Sequence, residues 1–192
     1  MRKIIVAVTG TPGTGKSTFA RELAEKVKAS AVIEINDVVK RRRLYSRTDR
    51  FGSRIVNIKR LDAAMVEEIG KVDKGVVVVV GHLVPELHMH PNMIIVLRTG
   101  LVELSERLEK RRYPKGKIRE NLVAEATDYC GVQSRKICKN TYEVENDADK
   151  RRMVSYVDDV SAGIRTKGPE RKEIDKLHDL FSLIKNGNRY GL

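Results

Sequence analysis

Residues 10–18 carry the clearest chemical pattern in the chain and read Gly-Thr-Pro-Gly-Thr-Gly-Lys-Ser-Thr. This is the phosphate-loop pattern: a glycine, four residues, then glycine, lysine and serine or threonine. Its glycines, among them Gly13 and Gly15, let backbone N–H groups turn inward around an anion. Lys16 can then reach the β- and γ-phosphates of a nucleoside triphosphate, and the Ser17 hydroxyl can ligate the Mg²⁺ that accompanies them. The pattern therefore predicts a nucleoside triphosphate site.

The segments on either side of this loop have the form that the motif requires. Residues 3–8 are apolar and β-rich and predict a strand, whereas residues 19–27 place Leu23 and Val27 on one helical face. Thr18 stands where this helix begins, and the positive end of a helix favours phosphate. A glycine-rich connection that binds nothing is the alternative, and the strand, turn and helix in sequence count against it.

Length and composition limit the classes of protein to consider. The 192 residues suit one domain, or one domain with an appendage, and Lys plus Arg exceed Asp plus Glu by twelve (38 minus 26). Such an excess favours nucleotides, RNA or both as partners. The longest apolar run, 76–80, is too short to cross a bilayer, and no signal peptide is expected. We therefore expect a cytoplasmic protein with no membrane partner.

Strands and helices are predicted to alternate along the rest of the chain. The further strands are predicted at 31–35, 76–80, 93–98 and 141–144. The further helices are predicted at 38–43, 60–72, 101–112, 117–137 and 149–162. Five consecutive valines place the strand at 76–80 in the centre of a parallel sheet. The alternation indicates an α/β fold with a doubly wound, five-stranded parallel sheet and ligands at the carboxyl ends of its strands.

Two segments fall outside this alternation. Residues 40–60 hold nine cations against the single acid Asp49, without strong periodicity, so we expect a partly helical excursion there. Residues 163–170 indicate a linker, and residues 172–185 have Leu177, Phe181 and other apolar side chains at helical spacing. The predicted organisation is a phosphate-loop domain over 1–162, followed by a linker and an amphipathic helix over 163–192.

Several further stretches resemble one family. The longest match runs over 106–113 and continues at 117–122 and Glu125, and shorter matches lie at 35–37, 81–83 and 96–99. With the phosphate loop, they are similar to the nucleoside-monophosphate kinases, and within these to the adenylate kinase isoenzyme 6 branch, whose members double as ribosome-assembly ATPases. The resemblance covers roughly residues 1–160. It implies a monophosphate-binding region at about 36–59 and a short lid at about 110–120.

The resemblance implies that ATP and Mg²⁺ are the cofactors and that Arg111, just before the lid, touches ATP. Arg107 lies four residues earlier on the same helical face. Phosphoryl transfer needs such cations, because charge develops on the transferred group. The alternative is that the two arginines only form exposed ion pairs with nearby glutamates. The lid contains no cysteine, which excludes a zinc-bearing lid.

The resemblance also implies roles for three residues on the acceptor side and for one catalytic histidine. Asn36 and Asp37 would lie at the crevice, where Asp37 assists Mg²⁺ or orients the acceptor, or else only caps a helix. Arg98, at the end of its strand, is placed for an acceptor phosphate, with a surface salt bridge as the alternative. His82 matches the family's companion to an acid that anchors Mg²⁺, with a structural histidine as the alternative.

Two departures from the family's pattern affect the site. Val80 stands two residues before His82, where the family carries that acid, and a valine cannot hold a hydrated metal. The monophosphate-binding region is basic, with Arg47, Arg50 and Arg54 where the relatives carry acids. The first departure leaves Mg²⁺ to Ser17, the phosphates and Asp37, and the second puts the identity of the acceptor and of a protein partner in question.

Three functions follow from these residues. The leading one is transfer of the γ-phosphoryl group of Mg²⁺-ATP to a nucleoside monophosphate, with ATPase activity beside it. The second is an ATP-switched ribosome-assembly factor, with ribosomal RNA or a small-subunit ribosomal protein as partner. The third is a phosphate-loop kinase for another small substrate. Because the family's ribosomal protein is basic, the basic excursion is expected to meet ribosomal RNA or an acidic segment of a partner.

Overall fold

Seven strands, eight α-helices and one short 3₁₀ helix (Val84–Glu86) occur among residues 2–52, 54–145, 147–163, 168–171, 173–185 and 190–191, which the computed structural model describes. The strands are β1 (Lys3–Thr9), β2 (Ala31–Glu34), β3 (Tyr45–Thr48), β4 (Arg54–Val56), β5 (Gly75–Val80), β6 (Met93–Leu97) and β7 (Thr141–Val144). The helices are α1 (Lys16–Lys26), α2 (Ile35–Arg41), α3 (Ile58–Gly70), α4 (Leu101–Lys110), α5 (Lys115–Ala126), α6 (Tyr129–Ile137), α7 (Asp147–Ser161) and α8 (Leu177–Lys185).

Five of these strands form one parallel sheet in the order β2-β5-β1-β6-β7, which confirms the predicted fold class. The central strand is β1, which leads into the phosphate loop, and β5 lies beside it, between β2 and β1. The prediction of β5 as the centre was therefore wrong by one position. Any internal strand of a parallel sheet is covered on both faces, so an apolar run does not distinguish the middle strand from its neighbour.

Helices cover both faces of the sheet. Side chains of α2, α3 and α6 pack on one face and those of α1 and α7 on the other, so each face has its own buried apolar layer. The carboxyl ends of the parallel strands meet at a single edge, where the loops that follow β1, β2, β5 and β6 come together.

The basic excursion after β2 forms a hairpin instead of the partly helical segment that was expected. β3 and β4 pair antiparallel, with Tyr45 opposite Val56, and Gly52 N donates to Asp49 O at 3.0 Å in the connecting turn. Most side chains of the two strands are exposed. No apolar alternation therefore marks them in the sequence, and the backbone ladder alone defines the pairing.

Two helix boundaries differ from the prediction. Residues predicted as one helix over 117–137 form α5 and α6, because Asp128 has a φ of 51° and its carboxylate caps α6 by accepting Gly131 N at 3.1 Å. The second difference is the start of α2, which begins at Ile35 and not at residue 38 as predicted. Asp37 therefore lies inside the first turn of α2, and its interpretation as a helix cap is wrong.

The carboxyl-terminal helix is shorter than predicted and turns a different face to the protein. α8 begins at Leu177 and packs against the α4–α5 layer through Leu180 and Leu183. Leu177 and Phe181, which have helical spacing in the sequence, stay 44% and 60% exposed. Residues 164–167 of the predicted linker lie outside the described residues. Over the ranges that the structure describes, none of the helices has the length and apolar character needed to span a membrane.

Candidate active site

The phosphate loop joins β1 to α1 and has the backbone of an anion-binding nest. Gly13 and Gly15 have φ values of 103° and 93°, which residues with a side chain rarely adopt. A Cβ at Gly13 would also lie only 2.7 Å from Leu104 Cδ1. Ser17 and Thr18 are exposed in the first turn of α1, so the Ser17 hydroxyl is accessible to a metal ion.

Lys16 lies across this loop, with its Nζ donating to Thr11 O at 2.9 Å. Burial, reinforced by the charge of Arg111, lowers the pKa of Lys16 to about 8 against the opposing effects of Cys130, Glu125 and Glu34. A cation with so little water around it interacts strongly with phosphate oxygens, because the local dielectric constant is low. The position fits the predicted contact with a polyphosphate.

A cleft of about 490 Å³ opens on one side of the loop, and we call it the donor cleft. Gly13, Gly15, Thr18, Arg107 and Arg111 line it, together with residues of α1 and α7. The two glycines and Thr18 predicted for ATP binding therefore share one cleft with both arginines of the predicted lid.

The two lid arginines have different environments. Arg107 Nη1 donates to Gly13 O at 3.1 Å, a loop contact that the sequence did not indicate, and its other terminal nitrogen forms the alternative ion pair, with Glu103. Arg111 follows the last residue of α4, and its side chain has no hydrogen-bond or ion-pair partner within the described part of the chain. Its guanidinium is thus available to a ligand, whereas Arg107 already braces the loop.

A second cleft of about 600 Å³, the acceptor cleft, lies on the other side of the loop. It is lined by Pro12, Asn36, Val39, Lys40, Asp49, Arg54, Val56, Ile58, His82, Leu83, Tyr113 and Lys117. The predicted residues Asn36 and His82 are among them. Asp37 is exposed on α2 and does not belong to this lining.

Three cations of the acceptor cleft were not assigned from the sequence. The Lys40 ammonium group has no partner among the described residues, the Arg54 guanidinium lies 4.2 Å from the centre of the Tyr45 ring, and Lys117 pairs with Asp49 at 3.4 Å. They come from α2, β4 and α5 and are far apart along the chain. Lys40 and Arg54 were visible only as members of a basic run, and Lys117 only as part of the lid match.

His82 is held neutral by its surroundings. Burial lowers the pKa of His82 to about 4, and the charges of Lys16 and Lys117 contribute to the same shift. At neutral pH the ring can therefore accept or donate a hydrogen bond in the acceptor cleft, but it adds no positive charge.

Arg98 does not face the acceptor, which corrects both interpretations made from the sequence. Its side chain is 1% exposed, with Nε 2.9 Å from Glu125 and Nη1 2.7 Å from both Asp128 and Glu143. Burial by itself would lower the pKa of Arg98, but the three carboxylates outweigh it and raise the pKa. Neither an acceptor phosphate nor a surface salt bridge describes this buried cluster.

Glu125 connects that cluster to the phosphate loop, and sequence reasoning gave it no role. One carboxylate oxygen accepts from Arg98 Nε and from Thr99 N, and the other accepts from the Thr11 hydroxyl at 2.5 Å. The loop is thereby anchored to the chain that follows β6. Its inclusion in the family match was the only hint in the sequence.

The two walls of the acceptor cleft touch each other. Asp49 and Phe51 come from the hairpin, and Gly116 and Lys117 come from the lid end of α5. A Cβ on Gly116 would lie 2.4 Å from Phe51 Cε1, and Lys117 Nζ lies 3.4 Å from Asp49 Oδ2. A side chain at position 116 would therefore force the walls apart.

A metal ion would have to be bound together with phosphate. Across the described ranges, no group of three or more His, Cys, Asp or Glu side chains could hold a metal. Ser17 supplies a hydroxyl at the start of α1, which is the position that phosphate-loop proteins use for Mg²⁺. The residues fit Mg²⁺ carried by a nucleotide, and Val80 contributes no ligand.

Two archaeal relatives match the chain over most of their length. A Methanococcus maripaludis protein named "Putative adenylate kinase" is 33% identical over 186 residues, covering 94% of this chain and 99% of that protein. A Methanocaldococcus jannaschii protein of the same name is 32% identical over 182 residues, covering 93% and 96%.

Solved structures share the fold at lower identity. Shikimate kinase from Bacteroides thetaiotaomicron is similar with a TM-score of 0.54 at 15% identity, covering 82% of this chain and 97% of that one. TT1252 from Thermus thermophilus is similar with a TM-score of 0.53 at 16% identity, covering 86% and 100%. A family model described as an AAA domain matches residues 6–128. This chain therefore belongs to that AAA-domain family and is a member of the same group as the archaeal proteins named putative adenylate kinase.

Proposed function

We propose that this chain transfers the γ-phosphoryl group of Mg²⁺-bound ATP to a nucleoside monophosphate, as an enzyme of adenylate-kinase type with accompanying ATPase activity. The observation that carries the proposal is that two clefts meet at the phosphate loop: Pro12 lines the acceptor cleft and the next residue, Gly13, lines the donor cleft. A protein that only binds or hydrolyses ATP needs the donor cleft alone. Transfer between two phosphates needs both clefts side by side.

On the donor side, each group has a distinct task. The loop N–H groups and Lys16 hold the β- and γ-phosphates, and Arg107 keeps the loop in place through Gly13 O. Arg111, without a partner of its own among the described residues, closes over the γ-phosphoryl group as charge develops there. When bound, Mg²⁺ would neutralise charge on the phosphate oxygens, with Ser17 as its ligand from this chain.

On the acceptor side, Lys40, Arg54 and Lys117 hold the acceptor phosphate, and Asn36 offers a neutral hydrogen-bonding group. An oxygen of that phosphate forms a bond to the γ-phosphorus, and the bond between the γ-phosphorus and the β,γ-bridging oxygen breaks. The products are ADP and a nucleoside diphosphate. No group on the protein needs to form a covalent intermediate, so positioning and charge supply the catalysis.

The test is an assay that separates transfer from hydrolysis. The protein is incubated with Mg²⁺-ATP and AMP, CMP, GMP or UMP in turn; nucleoside diphosphates are measured by chromatography and inorganic phosphate in parallel. We expect diphosphate formation with at least one acceptor and its near-complete loss in Lys16→Ala. Lys26→Ala, which removes an exposed lysine from the other end of α1, should keep wild-type rates. Inorganic phosphate as the only product with every acceptor would contradict the proposal.

A second role in binding polyanions is supported by the charges of the excursion. Arg42 is neutralised by Glu67 and Glu68. The side chains of the following exposed cations form no hydrogen bond or ion pair in the described part of the chain: Lys40, Arg43, Arg47, Lys59 and Arg60. Asn57 N donates to Leu44 O at 2.9 Å, so the chain beside Arg43 lies next to the start of α3. We propose that this basic surface binds ribosomal RNA during small-subunit maturation, in keeping with the resemblance to the isoenzyme 6 branch and its small-subunit ribosomal protein partner.

The polyanion role is tested with residues outside both clefts. Binding to a small-subunit ribosomal RNA fragment is measured against salt for wild type and for a variant with Arg43, Arg47 and Arg60 changed to Ser. Each lost phosphate contact should flatten the log–log salt dependence by about 0.7 for single-stranded RNA. Equal affinities and equal slopes would exclude this surface as the RNA site and would leave the kinase assay unaffected.

A further inference from the structure

The carboxyl edge of the sheet lacks an acid where phosphate-loop proteins commonly have one. In such proteins Mg²⁺ is held by the loop Ser or Thr together with an aspartate at the end of a neighbouring strand. Here Ser17 is present, but β5, the neighbour of β1 on that side, ends in Val80, which is 1% exposed and apolar. The metal would therefore need its carboxylate from another strand.

Glu34, at the end of β2, lies at the same level of the sheet. β2 is the next strand outward from β5, and its register pairs Glu34 with Val80, while Val80 pairs with Val8 on β1. Residues in register on parallel strands point to the same face. Ile33 packs in the layer of α2 and α3, so Glu34, one residue later, points to the opposite face, where α1 packs and where Val80 and Val8 also point.

The length of a glutamate compensates for the extra strand between Glu34 and the loop. Neighbouring strands are about 4.8 Å apart, and a glutamate carboxylate extends roughly that far from its Cα. A carboxylate that starts on β2 can therefore extend over the buried Val80 side chain towards the phosphate loop. Valine at 80 brings no competing charge to this end of the sheet.

Two further observations indicate that Glu34 is directed towards the nucleotide. Its carboxylate is close enough to Lys16 to act on the charge of that ammonium group. The carboxylate of Glu34 also has no hydrogen-bond or ion-pair partner among the described residues, and the residue is only partly exposed. Asp37, the acid considered for Mg²⁺ from the sequence, is exposed one turn along α2 and is not among the charges that shift the pKa of Lys16.

We infer that Glu34 takes the place of the missing acid at position 80 and helps to hold the Mg²⁺ of the bound nucleotide, directly or through a water molecule. The inference rests on the proposed function in one respect only: the loop must bind a metal–nucleotide complex. A competing explanation is that Glu34 merely interacts with the positive end of α2, where an acid is favourable. That explanation predicts a small effect on stability and no effect on metal binding.

The experiment measures metal binding without turnover. Mn²⁺ is titrated into the full-length protein saturated with the non-hydrolysable ATP analogue AMP-PNP, and free Mn²⁺ is followed by electron paramagnetic resonance. Glu34→Gln should weaken Mn²⁺ binding by about 10–100-fold, the usual cost of losing a group that supports a metal site. Its affinity for AMP-PNP in EDTA should not fall, because a negative charge near the phosphates has been removed.

Three matched proteins make the result specific. Asp37→Asn removes the same charge three residues away and should keep wild-type Mn²⁺ affinity. Glu34→Asp shortens the side chain by one methylene and should lose part of the affinity. Val80→Glu in the Glu34→Gln background should restore it, and melting temperatures show which variants remain folded.

The outcomes separate the inference from the proposed function. Wild-type Mn²⁺ affinity in folded Glu34→Gln, or an equal loss in Asp37→Asn, would overturn the role of Glu34 and leave the kinase proposal intact. If wild-type protein failed to bind AMP-PNP with Mn²⁺ at all, the proposed function itself would fail.

Discussion

Arg98 and Glu125 form a fully buried ion pair, with Nε 2.9 Å from Oε1 and both side chains 1% exposed. The Glu125 carboxylate also accepts a hydrogen bond from the hydroxyl of Thr11 in the phosphate loop. Because an isolated charge is expensive to bury, neither partner can be removed without cost to the other. The ion pair therefore stabilises the conformation of the phosphate loop, although neither residue lines the donor or the acceptor cleft.

Arg98→Met should destabilise the protein strongly, because Glu125, Asp128 and Glu143 would lose the cation that they share. Breaking a buried pair by removing one partner costs about 3–5 kcal/mol. Guanidinium unfolding of the two proteins measures the difference. Arg135→Met is the matched control, since Arg135 also pairs with Asp128 and Glu143 but is 34% exposed, and it should cost less. Unchanged stability with a raised KM for the acceptor would restore the acceptor role that the sequence suggested.

Arg111→Ala should lower kcat far more than it weakens binding of ATP. A cation that acts on developing charge contributes mainly in the transition state, and arginines in this role are worth about 10³–10⁵ in kcat. Steady-state rates and equilibrium ATP binding are measured for the same preparation. Arg112→Ala is the control, because Arg112 is the adjacent exposed arginine and is absent from the lining of the donor cleft. Equal kcat values in both variants would show that Arg111 is only an exposed surface residue with no part in the reaction.

Lys40→Gln should raise the KM for the acceptor and leave the KM for ATP unchanged, since Lys40 lines the acceptor cleft alone. Loss of a charged hydrogen bond costs about 1.5–3 kcal/mol, which corresponds to roughly a tenfold increase or more. Arg43→Gln removes an exposed charge just outside the cleft and should not alter either KM, while weakening RNA binding. A raised KM for the acceptor in Arg43→Gln, with an unchanged KM in Lys40→Gln, would mean that the acceptor binds on the basic surface.

His82 should make the protein less stable in mild acid. The unfolded chain takes up a proton at His82 below about pH 6.5, whereas the folded chain does so only at about pH 4. Between these values the unfolded state binds more protons, so stability falls as pH falls, by at most about 1.4 kcal/mol per pH unit. Above pH 6.5 His82 contributes no pH dependence.

Denaturant unfolding of wild type and His82→Asn at pH 7, 6 and 5 measures this contribution. The stability of the variant relative to wild type should improve as the pH falls, since the variant has no proton to gain at this position. His90→Asn, at an exposed position with a φ of 48° that asparagine tolerates, should follow wild type. Parallel curves for wild type and His82→Asn would show that His82 is not shielded as described.

The parts of the fold that could be predicted are those with a continuous local pattern. β1, the phosphate loop and α1 follow one another in 24 residues of the chain, from Lys3 to Lys26, and each has its own periodicity or motif. The hairpin of β3 and β4 could not be predicted, because its side chains are mostly exposed and leave no apolar alternation. The break at Asp128 depends on a left-handed residue and a side-chain cap, which a helical pattern does not reveal.

In the candidate site, too, only the residues that lie in contiguous stretches of sequence could be predicted. The loop and the lid arginines lie in short contiguous stretches, so the sequence indicated them directly. The cations of the acceptor cleft come from three separate elements, and only the packing of the hairpin against α5 brings them together. Arg98 was misassigned because its position at a strand end was visible, whereas the acids that meet it come from α5, the cap of α6 and β7.

The contact of Phe51 with Gly116 makes the hairpin and the lid a single gate over the acceptor cleft. One wall therefore cannot be displaced without moving the other or breaking the contacts between them. In an enzyme of the proposed type, product release that parts the walls breaks both the Phe51 contact and the Lys117–Asp49 ion pair. When product release of this kind is the slowest step, kcat reports how often the gate opens, and solvent viscosity slows turnover more than any change at the transferred phosphorus.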